Sequence, residues 1–543
     1  EIYNHKKIKK DNPMYSWKTK GDSESILALH SRYTKKSSFE QIKETSIASG
    51  LLVAKGFDAI DNPATRHKEW VSKLDGVWGF ALWDSKCNEL IICRDPMGVK
   101  PLIRTMAGNS LLVSSELKAF SAHSDYISKF DYNALNLRLA YEYPLDRSTL
   151  IEGVSQVGAG VIETWSLDIN DRPVLTGISK YTSIKNELND DWNSEYKIKE
   201  ILDSFKSSLV DRLMSDVPLG IVLSGGLDSS LVAALAHDAA EEAQKPVPEC
   251  WTIADSEDNP DWIAAELVAK KFDLKHHQSI LDDNSFEKTL PKLVWHGEDL
   301  DVTVLFFQPL FEKMSKHVKV GLCGQGADEL HAGYPRYRDL RKYSEVINNR
   351  LKMIEYKIND DDVGLHTTWN DNQLNPNDDF STLQSTLDFE MQRGQLTNFQ
   401  LRLVDRHSMA HGLEVRVPFL GKKHWNESKQ IPFDWRLSSN ANHGDEKLAL
   451  RHAAKLTGLP LSITERPKLP AGKSTSPSLF EHFITEYDSY IEPLKERYVQ
   501  QSKLLTGQPE LVLGLGLFEA LIVEEDRLSA ENKTVDQILS KLI

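Results

Sequence analysis

Apolar runs that end in glycine-rich turns are the strongest pattern in the chain. Residues 219–223 are almost continuously apolar and are followed by Ser224, Gly225 and Gly226. A run of this kind is typical of a strand buried on both faces of a parallel sheet. From Asp228 onward, the apolar positions recur at helical spacing. The pattern predicts a strand, a tight turn and the start of a helix, which together form an anion-binding site.

The alternation of strand and helix continues after this turn. Strands are predicted at 249–254, from 276 onward and at 319–322, and a helix is predicted over 262–272. Alternation of this kind predicts an α/β fold. We expect a doubly wound parallel sheet that binds its ligands at the carboxyl ends of the strands.

The first part of the chain follows a different pattern, which predicts an α+β domain. The β-prone segments 76–84 and 89–95 flank a polar turn and predict a hairpin, and 111–115 predicts a further strand. Residues 33–69 lack periodicity and predict an insertion or a long loop. A chain of 543 residues is too long for one core. The expected division is a first domain over 1–170, a polar linker over 171–194 and a second domain over 195–543.

Composition narrows the classes of function. The net charge of −15 argues against nonspecific binding of nucleic acid and favours a small-molecule substrate. We expect no membrane partner, because no apolar run is long enough to cross a bilayer. The four cysteines form no Cys-x-x-Cys pair. This argues against a zinc site and fits a reducing, cytoplasmic location.

The turn after residue 223 combines the groups that a nucleotide phosphate requires. Ser224 and Ser229 supply hydroxyl donors, and Asp228 can hold a divalent cation. Gly225 and Gly226 can adopt a positive φ. The alternative is an ordinary tight turn between strand and helix, which also favours glycine and serine. The turn is neither a Walker A loop nor a dinucleotide fingerprint, and we predict that it binds the phosphates of ATP.

Ordered motifs in both halves of the chain resemble one enzyme family. They occupy residues 1–5, 21–27, 74–81, 94–102, 115–119, 219–230, 319–330, 404–420, 444–451 and 465–472. Together they resemble the glutamine-hydrolysing asparagine synthetases over nearly the whole chain. The resemblance implies an Ntn-hydrolase-like glutaminase domain of the class II amidotransferase type. A PP-loop ATP pyrophosphatase domain would follow it.

The resemblance also implies a glutamine site in the first domain. In the family, the nucleophile is an N-terminal cysteine whose own α-amino group acts as base, and the motif at residues 1–5 lies further inside the domain. We therefore expect these 543 residues to lack the nucleophile, and we expect this stretch by itself to use free ammonia and not glutamine. Glu1 would line the glutamine pocket, and Asp22 would pair with the α-ammonium group of glutamine. Capping of the following helix is the alternative role for Asp22, and both roles are compatible.

In the second domain, the resemblance implies an ATP site. Val222 and Ile253 would frame the adenosine, although a purely structural role in the core is equally open. Asp228 and Asp328 would hold Mg²⁺ on the β- and γ-phosphates, because two carboxylates from separate strand ends can clamp one cation.

The resemblance assigns further residues to the reaction itself. Cys323 and Gly324, in the second glycine-rich turn, would also contact ATP. Lys447 would lie near the phosphates, and Lys468 would stabilise the transition states of adenylation and amidation. Gln325 stands where well-studied members carry glutamate. Glutamine cannot act as a base, but it can hydrogen-bond an amino-acid substrate.

The preferred hypothesis is ATP-dependent amidation of aspartate through an aspartyl adenylate, with ammonia drawn from glutamine. The partners would be aspartate, glutamine or ammonia, and ATP with Mg²⁺; a homodimer stays open. Gln325 motivates one alternative, an adenylating amide-forming enzyme similar to the β-lactam synthetases that acts on another carboxylate. The other alternative is a non-catalytic ATP-binding regulator.

Overall fold

The structure is a computed structural model. It describes residues 2–34, 62–182, 186–187, 191–281, 283–305, 307–358, 374–438, 445–468, 477–524 and 527–543. Glu1 of the predicted glutamine pocket lies outside the described residues. So do residues 35–61, which make up most of the predicted insertion.

Among the described residues, twelve strands form three sheets. The strands are β1 (Gly79–Asp84), β2 (Glu89–Arg94), β3 (Ile103–Ala107), β4 (Ser110–Ser114), β5 (Ser155–Gln156), β6 (Val161–Leu167), β7 (Pro173–Lys180), β8 (Leu219–Val222), β9 (Glu249–Ala254), β10 (His276–Ile280), β11 (Val320–Leu322) and β12 (Glu414–Arg416).

Helices surround these sheets. The α-helices are His5–Asp11, Glu24–Thr34, Lys68–Val71, Tyr132–Tyr141, Ser194–Arg212, Leu227–Ala234, Ala236–Ala243, Pro260–Lys271, Asp283–Gly297, Phe307–Ser315, Ala327–His331, Leu340–Leu351, Pro376–Asp379, Leu383–Arg393, Leu401–Met409, Lys422–Ser428, Leu448–Lys455, Leu461–Thr464, Pro477–Glu486, Asp488–Arg497, Ser502–Leu505, Pro509–Phe518, Arg527–Asn532 and Val535–Leu539. Within the described ranges, none of the helices combines the length and the apolar character that a membrane crossing needs.

The first half of the molecule contains two antiparallel sheets, ordered β1-β2-β6-β7 and β4-β3-β5. The predicted hairpin is confirmed, since β1 and β2 pair antiparallel from Gly79↔Arg94 to Asp84↔Glu89. Two predictions differ from the structure. The stretch predicted as a loop up to residue 69 ends in helical turns, Pro63–His67 and Lys68–Val71. The predicted linker contains β7, which pairs with β6 at the edge of the sheet. Because most side chains of β7 are only half-buried, the sequence of this strand shows no clear apolar pattern.

The second half contains a five-stranded sheet in which every neighbouring pair is parallel, as predicted. Its order is β10-β9-β8-β11-β12, so the chain leaves β8 towards one side and returns to the other side with β11. A change of direction of this kind opens a crevice at the carboxyl ends of the two central strands. The sheet therefore brings the turns after β8 and β11 to the same place.

One hydrophobic core runs through both halves. Ile103 and Leu117 of the first half belong to the same buried cluster as Leu300 and Phe518 of the second. The ring of Phe130 lies 5.8 Å from that of Phe518. Because the two halves share buried apolar surface, their relative placement is held by packing as well as by polar contacts.

Candidate active site

The turn after β8 forms a network of its own. Ser229 Oγ accepts a hydrogen bond from Ser224 N at 3.1 Å and lies 3.0 Å from Ser224 Oγ. The helix Leu227–Ala234 starts directly after Gly226, and no side chain among the described residues caps it. The N–H groups of its first turn are therefore not taken up by a side-chain cap, which suits an anionic ligand.

Gly225 explains why this turn needs glycine. Its φ is +70°, and a Cβ atom there would lie 2.6 Å from both Ala264 Cβ and Ala265 N. A side chain would meet both backbone strain and the helix Pro260–Lys271. The turn can approach that helix closely only because residue 225 lacks a side chain.

The turn after β11 touches the turn after β8. The two strands pair in parallel, with Leu322 opposite Ile221. A Cβ atom on Gly324 would lie 2.7 Å from Asp228 Cβ. The two predicted loops thus meet through Gly324, and the helix Ala327–His331 that follows carries Asp328.

Two lysines complete a cluster of four charged groups. Lys447 Nζ lies 2.7 and 2.6 Å from the two carboxylate oxygens of Asp228 and 2.6 Å from Asp328 Oδ1. Lys468 Nζ lies 2.8 Å from Asp328 Oδ2. The structure therefore brings together four side chains that the sequence separates by up to 240 positions, from Asp228 to Lys468.

Charges in this cluster shift the pKa of Asp328 and of Lys468. Burial alone would raise the pKa of Asp328, but Lys447 and Lys468 lower it well below its ordinary range. Burial would lower the pKa of Lys468, whereas Asp328 and Asp228 raise it above its ordinary value. Both groups are therefore charged at neutral pH.

Two residues near the cluster were missed by the sequence analysis. A Cβ atom on Gly333 would lie 2.0 Å from Asp328 Oδ1 and 2.1 Å from Lys447 Cε, so a side chain there would displace these groups. Burial, followed by the charge of Asp328, raises the pKa of Glu329 to about 7. The hydroxyl of Tyr334 donates to Glu329 at 2.7 Å. The signal in the sequence was Gly333, which follows the adjacent carboxylates of Asp328 and Glu329 by a few residues.

Gln325 is hydrogen-bonded within the protein. Its Nε2 donates to Gln400 Oε1 at 2.6 Å, and Gln400 ends the π-helix Gln395–Gln400. Neither side chain is fully buried. At the position of the predicted departure from the family pattern, the structure therefore has a neutral amide pair.

The other predicted nucleotide-site residues lie in or next to the parallel sheet. Val222 ends β8, and Ile253 lies in β9; both side chains are buried. Cys323 follows β11, and burial raises the pKa of its thiol to about 12. Val222 pairs with Trp251 across β8 and β9, so these positions serve the core whatever else they contact.

Of the two residues predicted for the glutamine site, Asp22 lies among the described residues. Asp22 Oδ2 accepts a hydrogen bond from the backbone N–H of Ile2 at 2.6 Å. Ile2 in turn forms an antiparallel bridge with Gly76. The fold thus brings three of the sequence motifs in the first half next to one another.

The predicted metal ligands Asp228 and Asp328 lie close together. In the part of the chain that the structure describes, no group of three or more histidine, cysteine, aspartate or glutamate side chains is arranged to hold a metal ion. Asp228 and Asp328 do converge on one cationic nitrogen of Lys447. Two carboxylates around one positive charge suit a hard divalent cation whose remaining ligands are phosphate oxygens and water.

Comparison with known proteins shows the family to which the chain belongs. The family model described as glutamine amidotransferase domain matches residues 64–173, and the model described as asparagine synthase matches residues 200–505. The two matches define the class, a glutamine amidotransferase with a second, synthetase domain. Since the second model covers more than half of the chain, the chain belongs to the asparagine synthase family.

Curated relatives agree with these matches. Asparagine synthetase [glutamine-hydrolyzing] 3 of Bacillus subtilis (strain 168) is 28% identical over 448 residues, which cover 76% of this chain and 69% of that protein. Asparagine synthetase [glutamine-hydrolyzing] of Homo sapiens is 26% identical over 485 residues, which cover 86% of this chain and 70% of that protein.

Among solved structures, the similarity to this chain is much weaker, with low values of both sequence identity and TM-score. The U34-tRNA thiolase NcsA from Methanococcus maripaludis gives a TM-score of 0.24 at 12% identity, covering 65% of this chain and 90% of that chain. No relationship follows from an overlap at this level.

Proposed function

We propose that the protein converts aspartate to asparagine at the expense of ATP, with ammonia from glutamine hydrolysis, and releases AMP and pyrophosphate. The observation that carries this proposal is the cluster of Asp228, Asp328, Lys447 and Lys468 at the carboxyl ends of β8 and β11, in a chain of the asparagine synthase family. A free carboxylate is a poor electrophile, so the reaction needs the activation that ATP supplies.

The proposed first step is adenylation. The side-chain carboxylate of aspartate attacks the α-phosphorus of ATP, the bond between the α-phosphorus and the bridging oxygen breaks, and pyrophosphate leaves. The turn containing Ser224 and Ser229 would hold the pyrophosphate end through hydroxyl and backbone N–H donors. Lys447 would turn its ammonium group from the two carboxylates to the phosphates. Lys468 would stabilise negative charge at the α-phosphate.

The proposed second step is amidation. Ammonia attacks the carbonyl carbon of the β-aspartyl adenylate, AMP leaves with the bonding electron pair, and the nitrogen loses a proton. Lys468 would stabilise the oxyanion of this step as well, since its side chain is 26% exposed and lies at the edge of the cluster.

Mg²⁺ is part of the proposal. Asp228 and Asp328 would hold it, and when bound it would neutralise charge on the departing pyrophosphate. The pairing of both carboxylates with Lys447 supports this assignment, because it places two anionic oxygen donors around a single cationic position.

The finer architecture also belongs to the proposal. We infer an Ntn-hydrolase-like fold for the first domain, supported by its two antiparallel sheets, and a doubly wound arrangement around the parallel sheet. The domain limits, the cytoplasmic location, the homodimer and the roles of Glu1 and Asp22 at glutamine stay predictions.

A pyrophosphate-release assay tests the function. The purified protein is given ATP, Mg²⁺ and ammonium chloride, with and without L-aspartate, and pyrophosphate, AMP and asparagine are quantified. We expect the three products in equal amounts and only when aspartate is present. Absence of aspartate-dependent release would reject the proposal and leave two alternatives, an enzyme for another carboxylate and the non-catalytic regulator.

A different acceptor is the second candidate, and the amide pair of Gln325 and Gln400 favours it. A neutral pair at this position offers hydrogen bonds but no base, which suits an amino acid other than aspartate equally well. A panel of carboxylic acids in the same assay separates the two candidates. Release that is faster with another carboxylate than with aspartate would favour the second.

A further inference from the structure

A buried carboxylate lies behind the two lysines of the site. The side chain of Glu446 is 1% exposed. Its Oε1 accepts hydrogen bonds from the backbone N–H of Lys468 at 3.0 Å and from Arg451 Nη2 at 2.6 Å. Its Oε2 accepts one from Arg338 Nη2 at 2.5 Å. Glu446 thus contacts the segment that carries one lysine and is the chain neighbour of the other, Lys447.

Arg451 extends this connection. Its Nε donates to the carbonyl of Glu446 at 2.7 Å, and its Nη1 donates to the carbonyls of Thr464 at 2.7 Å and Arg466 at 3.0 Å. These carbonyls belong to the residues that lead into Lys468. The pair of Glu446 and Arg451 therefore joins residues 446–451 to residues 464–468, and each of these stretches contains one site lysine.

The backbone at Lys447 needs such support. Its φ is +57°, in the left-handed region of backbone conformation that residues other than glycine seldom adopt. A strained conformation of this kind persists only where the surrounding structure determines it. The backbone N–H of Arg451 donates to the carbonyl of Lys447 at 2.8 Å, which holds the strained residue from its other side.

We propose that Glu446 is a positioning residue, which sets the places of the Lys447 and Lys468 ammonium groups relative to Asp228 and Asp328. Its meaning for catalysis rests on the proposed function. The placement itself is a property of the protein without ligand, so it can be measured separately. Burial would raise the pKa of Glu446, but Arg451 and the backbone N–H of Lys468 are among the groups that lower it, in keeping with a permanently charged acceptor.

The test compares Glu446→Gln and Glu446→Asp with a matched control, Glu465→Gln. Glu465 is 60% exposed and pairs with Lys455 on the surface, so its loss should change little. Each full-length variant is treated with an amine-selective acylating reagent, and the rate of modification of each lysine is read by peptide mass spectrometry. Lys100, paired with Asp405 at 2.7 Å at a different place, is the internal reference.

We expect Glu446→Gln to raise the acylation rate of Lys468 several-fold while that of Lys100 stays unchanged. Pyrophosphate release should fall about 10–100-fold in kcat, because small misplacements of reacting groups are costly. Glu446→Asp keeps the negative charge, so its Lys468 acylation rate and its kcat should both lie between those of Glu446→Gln and the wild type. If Glu446→Gln does not fold, Glu446→Asp is judged by the same two measurements.

Two results would overturn the proposal. One is wild-type acylation of Lys468 together with wild-type kcat. The other is a parallel rise at Lys100, which would mean that Glu446 only supports the fold. If the wild-type protein shows no aspartate-dependent release, the proposed function fails, and the acylation rates still decide the placement.

Discussion

Two clusters of carboxylates and cationic side chains differ in how their carboxylates are satisfied. In the candidate site, Asp228 and Asp328 keep 13% and 12% of their side-chain surface exposed and pair with lysine side chains. Between the two halves, Glu298 and Asp299 are 0% and 1% exposed.

The cluster around Glu298 and Asp299, called the inner cluster below, is held in part by backbone N–H groups. Glu298 accepts hydrogen bonds from the backbone N–H groups of Leu117 and Lys118, both at 3.0 Å, and pairs with Arg406 at 3.0 Å. Asp299 pairs with Arg138 and Arg402. A lysine side chain can exchange one partner for another, whereas a backbone N–H in a packed segment cannot. The comparison teaches that a buried charge alone does not mark a ligand site.

The largest effect is expected for Lys468→Ala. Removal of the cation that is proposed to stabilise the transition states should lower kcat for pyrophosphate release about 10²–10³-fold. ATP binding by calorimetry should persist, because the turn after β8 stays intact. Lys455→Ala, a surface lysine, is the control. Unchanged turnover would remove Lys468 from the mechanism.

The next effect concerns stability rather than turnover. Glu298→Gln leaves Arg406 with a weaker partner in a buried place, and the free energy of unfolding should fall by about 3 kcal/mol. Urea denaturation measures this loss, with Glu345→Gln on an exposed helical pair as control. If turnover per folded molecule fell as far in Glu298→Gln as in Lys468→Ala, the inner cluster would serve catalysis as well as stability.

The inner cluster should also respond to acid. Burial would raise the pKa of Glu298, but Arg406 and Lys118 lower it from 4.5 to about 2. A carboxyl whose pKa falls on folding stabilises the protein above its unfolded pKa, and this contribution is lost as pH falls towards the folded pKa. The stability difference between wild type and Glu298→Gln should therefore shrink by about 2 kcal/mol between pH 6 and pH 3. A difference independent of pH would contradict the assignment.

The smallest effect is expected for Gly333→Ala. The added methyl group meets Asp328 and Lys447. Both side chains have some freedom to shift, so we expect a cost of about 1–3 kcal/mol, seen mainly as weaker ATP binding. Gly21→Ala has 3.5 Å of clearance and serves as control. Equal ATP affinity in both variants would show that the cluster is looser than its contacts indicate.

The sequence predicted the elements that carry local signals. The apolar runs of β8, β9 and β11 and the glycine turns after β8 and β11 were found directly. Lys447 and Asp228 are 219 positions apart, and periodicity carries no information about such a pairing, so only the family resemblance placed them together. β7 was taken for linker, because a half-buried edge strand has no clear alternation.

Other features depend on the assembled molecule. The left-handed backbone of Lys447 and the tight space at Gly333 arise from neighbours that are remote in sequence. The position of Glu298 shows the same limit. Its carboxylate is bound by the backbone N–H groups of Leu117 and Lys118, 181 and 180 positions earlier.

The bonds between Glu298 and residues 117–118 bear on how such enzymes can be recombined. A hybrid that joins this synthetase half to the amidotransferase half of a relative would need a loop that presents two N–H groups at the same place. Expression of residues 195–543 alone would expose the carboxylate of Glu298, which is fully buried in the intact chain. It would also expose the apolar surface around Leu300 and Phe518. In this protein the two halves are therefore poor candidates for exchange as independent modules.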